Sequence, residues 1–477
     1  MGGFVAAVSI VFAHGYGYHR DELYFLVAGR HLAWSYPDQG PVTPFLARVM
    51  SAIAPHSLTL LRVPSALETG ATVVITGVLA WELGAGRRAQ LIAAGCTAVG
   101  AVFLATGHLL STTTFDLLAW AVVTWLIVRA VRTGAQRLWL LTGLVAGLAL
   151  LNKPLITFFL FAIAVGLLTV GPRDVLRSWW PRLGLAIALV LWAPWLLWQA
   201  HHGWPQLHIA SSISSGSSAS SQPRWAILPF DLLLVSPVLA PIWIAGLVAL
   251  LRRPDLRRYR FVAVAWLVLA VVFIAMGGKP YYLAGLFPVL LGAGAISADA
   301  WLDRGSARAR KRLLAVAFVT SAVVSAVIAF PLLPAKNAGI AIALDSDVGE
   351  TIGWPDLART VARVYHEAPG SPVIFTSNYG EAGALDRFGP ELGLPGAYSG
   401  HNGFSVWDQP PDRAGSAVVV IGLDGSDLHR FFRSCRVAAR ISNSAGIDND
   451  ENGTPVDLCA GVRGTWSRNW PALRHYG

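Results

Sequence analysis

Apolar runs separated by short polar breaks fill most of the first 333 residues. They lie at 60–83, 89–107, 115–131, 138–151, 154–170, 183–200, 227–251, 260–277, 281–298 and 312–333, after an apolar stub at 1–13. Most approach the roughly 20 residues that a helix needs to cross a hydrocarbon core of about 30 Å, so the pattern predicts a polytopic α-helical membrane protein with about 11 spans. The stub and 138–151 are the shortest. A helix that begins upstream of the given sequence would explain the stub. A cleaved signal peptide is the competing account, against which stand the missing basic n-region and the missing small-x-small site before His14.

Two stretches depart from this rhythm. Residues 14–64 form a long loop rich in aromatics, proline and charge; within it 21–34 carries Leu23, Leu26, Val27, Leu32 and Ala33 at helical spacing and predicts an amphipathic helix at the membrane surface. "SYPDQGPVTP" follows and must be extended or turning. After 333 the strand-like runs "SPVIFTSNY" and "AVVVIG" alternate with the helix-like runs "PDLARTVARVYHEA" and "DLHRFFRSC", which predicts a small α/β domain. The expected division is therefore a transmembrane body at 1–333, including the first loop 14–64, and a soluble domain at 334–477. The Ser-rich "SSISSGSSASSQP" in the loop 200–229 reads as mobile, either a substrate gate or a plain connector. No repeat of fixed period is visible.

Composition agrees: 54% hydrophobic and 13% charged residues with a mean hydropathy of +0.53, against about 25% charged in an ordinary soluble domain. The net charge of +10 does not point to nucleic acid, because roughly half of the 37 Lys and Arg residues sit in alternate short loops at 87–88, 129–137, 173–182, 252–260 and 304–312. The intervening short loops hold only Lys153, Arg224 and Lys279. The positive-inside rule then places 14–64 and everything after 333 outside the cytoplasm. Cys96 reads as a packing residue within a span, whereas Cys435 and Cys459 lie in the outer domain, where a bridge is permitted but not fixed by spacing.

Chemistry is scarce and clustered. Asp21 and Glu22 follow the first apolar stub; on a helix they project about 100° apart, so one can face a cavity while the other is held by a partner, unless both are merely solvated beside Arg20. In "STTTFDLLAW" Thr113 or Thr114 is expected to cap a helix, leaving Asp116 either to complement the helix dipole or to meet a substrate. Lys153 in "LLNKPLIT" and Lys279 in "GGKPYYLAG" offer cations to a phosphate, or snorkel to headgroups. Tyr281, Tyr282 and Trp34 have the commoner role of interfacial belt residues as their alternative. "SNYGEAGALDRFG" is neither a dinucleotide fingerprint nor a phosphate loop, and Gly380 and Gly383 there read as turn and packing residues. "YSGHNGFSVWDQPP", with His401, Asn402, Trp407 and Asp408, suits a sugar-contacting surface or an ordinary loop. No Cys or His spacing marks a metal site, although a divalent cation would be a natural screen for phosphate.

In this order the segments "YHRDELYFLVAGRHLAWSYPDQGPVTPFLAR", "TTTFDLLAW", "LALLNKPL", "GKPYYLAGLFPVLLGAG", "NYGEAGALDRFG" and "SGHNGF" resemble the GT-C membrane glycosyltransferases. The likeness is greatest to glycosyltransferase family 39, the branch of the protein O-mannosyltransferases and the aminoarabinose-to-lipid A transferase, in its actinobacterial form. The resemblance implies a GT-C body with an extracytoplasmic tail, a sugar donor carried on a polyprenyl monophosphate, no nucleotide sugar at the active site, inversion at the anomeric carbon, and Asp21 as the catalytic base. One departure matters. Where the aminoarabinose enzymes carry Lys-Pro-Pro-Leu in the first loop, this chain reads Gln39-Gly40-Pro41-Val42, so Lys153, Lys279 or an Arg has to take the phosphate.

The expectation is a multi-pass hexosyl- or pentosyltransferase of the cell envelope that moves a sugar to a hydroxyl of an extracytoplasmic lipid, glycan or protein. Asp21 and Glu22 would be catalytic, with Asp116, Lys153, Lys279, Tyr281 and Tyr282 at the substrate and membrane lipids around the body. A transporter or flippase of a lipid-linked sugar is the rival reading. It fits less well, because the charged candidates cluster toward one face and no paired half-repeat is visible. A membrane scaffold whose tail binds a partner is a third.

Overall fold

The computed structural model describes residues 1–216, 221–304, 306–413 and 417–476. The chain forms two compact units: Met1–Ala13, Gln39–Thr43 and Arg62–Phe330 make the first, and His14–Asp38, Pro44–Leu61 and Pro331–Gly477 the second.

The first unit is helical. Six of its stretches are long and apolar enough to cross a membrane: Leu58–Glu82, Thr112–Thr133, Trp180–His201, Pro254–Met276, Pro280–Leu302 and Ala307–Ala329. Two bent pairs raise this to as many as eight, Arg87–Ala98 with Ala101–His108 at 53° and Arg224–Val235 with Ala240–Arg252 at 113°. The sharper bend has a local cause, since Pro237 disfavours helical backbone at Ser236, which is extended. The other three expected spans are the apolar helices Gly2–Phe12, Leu138–Leu150 and Ile156–Thr169, of 11, 13 and 14 residues, shorter than a straight crossing. Length and composition thus support six to eight spans among the described residues, fewer than the apolar runs suggested.

Helices in this unit approach closely through small residues. A Cβ added to Gly294 would lie 1.7 Å from the Ile242 carbonyl oxygen, and one on Gly246 1.9 Å from that of Leu290, so Ala240–Arg252 and Phe287–Leu302 meet backbone to backbone. Some basic-loop arginines are tied internally. Glu82 is fully buried and accepts from Arg129 Nη1 at 2.7 Å and from Arg132. Of the Ser-rich stretch, 217–220 lie outside the described residues, and Pro205–Ser215 ahead of them is helical.

The second unit carries a five-stranded sheet in the order β2-β1-β3-β5-β4. Strands β1 (Val373–Thr376), β2 (Tyr398–Ser399) and β3 (Ala417–Ile421) run parallel, and β4 (Phe432–Arg440) and β5 (Pro455–Val462) complete it antiparallel. β1 and β3 are buried along their whole length, as strands covered on both faces must be. Cys435 and Cys459 are direct cross-strand partners on β4 and β5 and form a disulfide.

The helix expected at 21–34 is Arg20–Arg30, and most of its apolar side chains are covered by protein. Leu23, Tyr24, Phe25, Val27 and Ala28 are all buried, and the helix packs on Tyr379–Phe388. The period-3.6 pattern was real, but its apolar face meets a protein partner, each large side chain contributing about 1.5–3 kcal/mol of burial.

Candidate functional site

Local sequence sets the start of Arg20–Arg30. His19 Nδ1 accepts from the Asp21 amide at 3.2 Å while Glu22 Oε2 accepts from the His19 amide at 2.8 Å, a capping box that spends the Glu22 carboxylate on the backbone and leaves that side chain fully buried. Asp21 points elsewhere. Its side chain is 43% exposed, lies 3.9 Å from Arg20 Nε, and accepts from the Tyr379 hydroxyl at 2.7 Å. The two neighbouring carboxylates therefore divide as helix geometry requires, one structural and one presented.

Around Asp21 the second unit builds a polar and aromatic web. Arg20 Nη1 reaches Glu350 Oε1 at 3.5 Å. Burial works against the Arg20 charge, but Tyr379, Asp21 and Glu350 more than offset it. Burial pushes the Glu350 carboxyl up to about 8 against the opposing pull of Arg20. The Tyr24 hydroxyl donates to Asp38 Oδ1 at 2.7 Å and accepts from the Gly403 amide at 3.0 Å. Burial also raises Asp38, to about 7, so this second carboxyl changes charge near neutrality. The His401 ring is tilted against Tyr379 at 4.8 Å and against His475 at 4.4 Å, and burial with the adjacent charges lowers it to about 3, so it stays neutral. Trp407 stacks on His31 at 4.9 Å and on Tyr24 at 5.7 Å, so the loop "YSGHNGFSVWDQPP" contributes aromatic surface to the same web. Beside it a cavity of about 310 Å³ is lined by Arg20, Asn378, Glu381, Asp424, Asp450 and Glu451, among others.

The first unit brings together four of the other candidates. Ser111, not Thr113 or Thr114, caps Thr112–Thr133, accepting from the Thr113 amide at 3.0 Å. The helix begins earlier than expected, so Asp116 falls beyond its first turn. It is buried there and accepts from Trp120 Nε1 at 3.1 Å, so the dipole reading of Asp116 does not hold. Lys153 lies 3.4 Å from Thr113 Oγ1, with its ammonium 5.1 Å from the Tyr281 ring centre and 5.6 Å from that of Tyr282. Its charge acts on Asp116. Lys279 is half-buried; its carbonyl accepts from the Tyr282 amide at 3.1 Å, but no side-chain hydrogen bond or ion pair joins its ammonium to this group among the described residues.

Asn152 ties the group to the first loop. Its amide nitrogen donates to the Thr112 carbonyl at 2.7 Å, and its side-chain oxygen accepts from Thr43 Oγ1 at 2.8 Å. The Gly40 amide donates to the Asn152 carbonyl at 3.1 Å, an approach so close that a Cβ on Gly40 would lie 1.8 Å from the Leu151 oxygen. Gln39 to Val42 thus docks on the residues immediately before Lys153.

Residues 38–198 match the profile of the dolichyl-phosphate-mannose-protein mannosyltransferase family. No curated protein matches the sequence significantly. Among solved structures the chain is similar to ArnT from Cupriavidus metallidurans bound to undecaprenyl phosphate, with a TM-score of 0.62 and 15% identity over 97% of this chain and 98% of ArnT. The apo form of that protein gives 0.62 and 16% over 96% and 97%. The chain has a GT-C glycosyltransferase fold. A third GT-C-type similarity is to the arabinofuranosyltransferase AftD from Mycobacteria (R1389S mutant), with a TM-score of 0.54 and 16% identity over 97% of this chain; the chain spans 42% of AftD's length.

The family profile takes in Asp116 and Lys153 but neither Asp21 nor the sheet-bearing part of the GT-C fold. Sequence reasoning missed Asn152, Asp38, Glu350 and Tyr379. Asn152 stood next to a flagged lysine, and the Asn378-x-x-Glu381 capping signal marked the start of the helix that carries Tyr379. Nothing local signals Glu350. No group of three His, Cys, Asp or Glu side chains is placed to hold a metal ion among the described residues.

Proposed function

We propose that this GT-C protein is an inverting glycosyltransferase that moves a sugar from a polyprenyl-monophosphate donor to a hydroxyl of an extracytoplasmic lipid, glycan or protein. The observation that carries the reading is the half-exposed Asp21 carboxylate, presented from a capped helix and engaged by Tyr379, on a fold similar to that of ArnT bound to undecaprenyl phosphate. Asp21 removes the proton from the acceptor hydroxyl. The oxygen attacks the anomeric carbon from the face opposite the phosphate, and the C–O bond to phosphate breaks with its electron pair leaving on the carrier. A polyprenyl phosphate is already a competent leaving group, so what remains is to neutralise it. Lys153 takes that role, in place of the lysine missing from 39–42, with Tyr281, Tyr282 and Asp116 setting its surroundings. Glu22 acts by fixing the start of the helix that presents Asp21. The Cys435–Cys459 bridge supports an oxidising compartment for the second unit, and with it an extracytoplasmic site.

The test uses protein in lipid nanodiscs with radiolabelled polyprenyl-phosphate sugars and a pool of membrane-extract acceptors. Wild type should release polyprenyl phosphate with label appearing on a new acceptor, and Asp21→Asn should not. Equal transfer by both proteins would remove Asp21 from the mechanism. Carrier movement across proteoliposomes without bond cleavage would replace transfer by transport.

A further inference from the structure

We infer that Tyr379 is a positioning residue for the Asp21 base, an inference that rests on the glycosyl-transfer reading above. The two residues are 358 positions apart in sequence, yet the phenol donates to Asp21 Oδ1 at 2.7 Å.

Three features make this contact more than an incidental surface hydrogen bond. Both partners stand at the starts of helices with capping boxes: Asp21 lies within the His19–Glu22 box, and Tyr379 follows Asn378, whose side chain accepts from the Glu381 amide at 2.9 Å while Glu381 accepts from the Asn378 amide at 3.1 Å. The helices are then held in register by glycine. A Cβ on Gly380 would lie 2.9 Å from Arg20 Cβ, and one on Gly383 2.9 Å from Leu23 Cβ. Finally, the Tyr379 ring is fixed on several sides, by Tyr24 at 5.0 Å, by His401 at 4.8 Å, and by the Arg20 guanidinium at 5.8 Å. A rigidly held donor thus acts on a carboxylate that is 43% exposed and contributes little to packing.

The chemical consequence is directional. A phenol donor engaged at Oδ1 restrains the carboxyl's rotation and favours its ionised form, the form that accepts a proton. Burial, and then the Asp21 charge, raise Tyr379 well above the ordinary tyrosine range, so it remains a donor throughout the working pH. Among the charged and titratable groups that face the pair are Arg20, Asp38, Tyr24 and the neutral His401.

Turnover and its pH profile would be measured for wild type, Tyr379→Phe, Asp21→Asn and the double variant, all as full chains in nanodiscs. Tyr379→Phe keeps the ring and its packing. It should lower kcat about 10-fold with donor KM within about twofold, and move the acid limb of the profile to higher pH by about one unit. It should cost nothing further on the Asp21→Asn background. A Tyr379→Phe enzyme with wild-type kcat and pH profile, or one that changes only KM, overturns the inference. A second measurement does not need turnover: the carboxylate infrared band of ¹³C-aspartate-labelled protein, wild type minus Asp21→Asn, titrated with and without the Tyr379 hydroxyl. An unmoved midpoint overturns the inference. An active Asp21→Asn enzyme overturns the transfer mechanism instead, while the infrared titration still decides whether Tyr379 controls Asp21.

Discussion

The carboxylate cluster of the second unit and the lysine cluster of the first solve different physical problems. Asp21 is held by directional contacts, a 2.7 Å hydrogen bond and a capped, glycine-packed helix. The contacts of Lys153 include less directional ones, two tyrosine faces beyond 5 Å, a hydroxyl at 3.4 Å and the charge of Asp116. A base has to be aimed at one proton, whereas a cation that neutralises a phosphate needs charge and tolerates displacement. The difference teaches where precision is required in the proposed reaction.

The largest expected effects break this comparison most directly. Asp21→Asn should lower transfer at least about 1000-fold, and Asp21→Glu, which keeps the charge but moves it by a methylene, about 100-fold. Lys153→Ala should cost about 100-fold, but Lys153→Arg less than about 10-fold. Single-turnover rates on matched nanodisc preparations would check both pairs. Tolerance at Asp21 combined with intolerance of Lys153→Arg would invert the assignment of aimed and diffuse roles.

A smaller effect sharpens the directional half. In Gly383→Ala the new methyl would lie 2.9 Å from Leu23 Cβ and 3.0 Å from the Leu23 carbonyl carbon, so the two helices must separate. Overpacking of this kind costs about 1–3 kcal/mol. Stability should fall by that amount in thermal unfolding, and activity should fall with the loss of the Tyr379–Asp21 contact. A variant as stable and active as wild type would mean that the helix seam does not set the register of the pair.

The two clusters also differ in how much of each the sequence revealed. Asp116, Lys153, Tyr281 and Tyr282 stood out because charge is rare in an apolar body, and the structure groups all four. The Asp21 cluster depends on pairings more than 300 residues apart, which no local pattern encodes, so Tyr379 and Glu350 stayed hidden although Asp21 was conspicuous. The helix at Arg20–Arg30 shows the same limit: its period was legible, but whether membrane or protein would cover the apolar face was not. Apolarity measures affinity for lipid or core, so it marked the apolar helices without fixing how many of them cross: those of 13 and 14 residues satisfy it while being shorter than a straight crossing.

The smallest expected effect concerns what holds Tyr379 in place. Glu381 closes the capping box of its helix and also lies in hydrogen-bonding contact with Glu451, both buried beside the cavity that Arg20 and Asp450 help to line. Burial raises the Glu381–Glu451 pair, and their mutual charge raises it further, above the roughly 4.3 of a glutamate in the unfolded chain. The folded state therefore binds more protons than the unfolded state above that value. The associated stability is fully present below about pH 4.3 and is lost as pH rises through the raised titration of the pair. Thermal unfolding of the full chain in detergent should show the midpoint falling by a few degrees between pH 5 and pH 8.5, with a flatter dependence in Glu451→Gln, which keeps a hydrogen-bonding side chain and removes one ionisation. Because the same carboxyl caps the Tyr379 helix, amide exchange there should accelerate with pH beyond the intrinsic chemical rate, and Glu451→Gln should suppress the excess. A midpoint that stays flat or rises would show that the pair is solvated rather than sharing a proton, and the directional half of the comparison would then rest on the glycine seam alone.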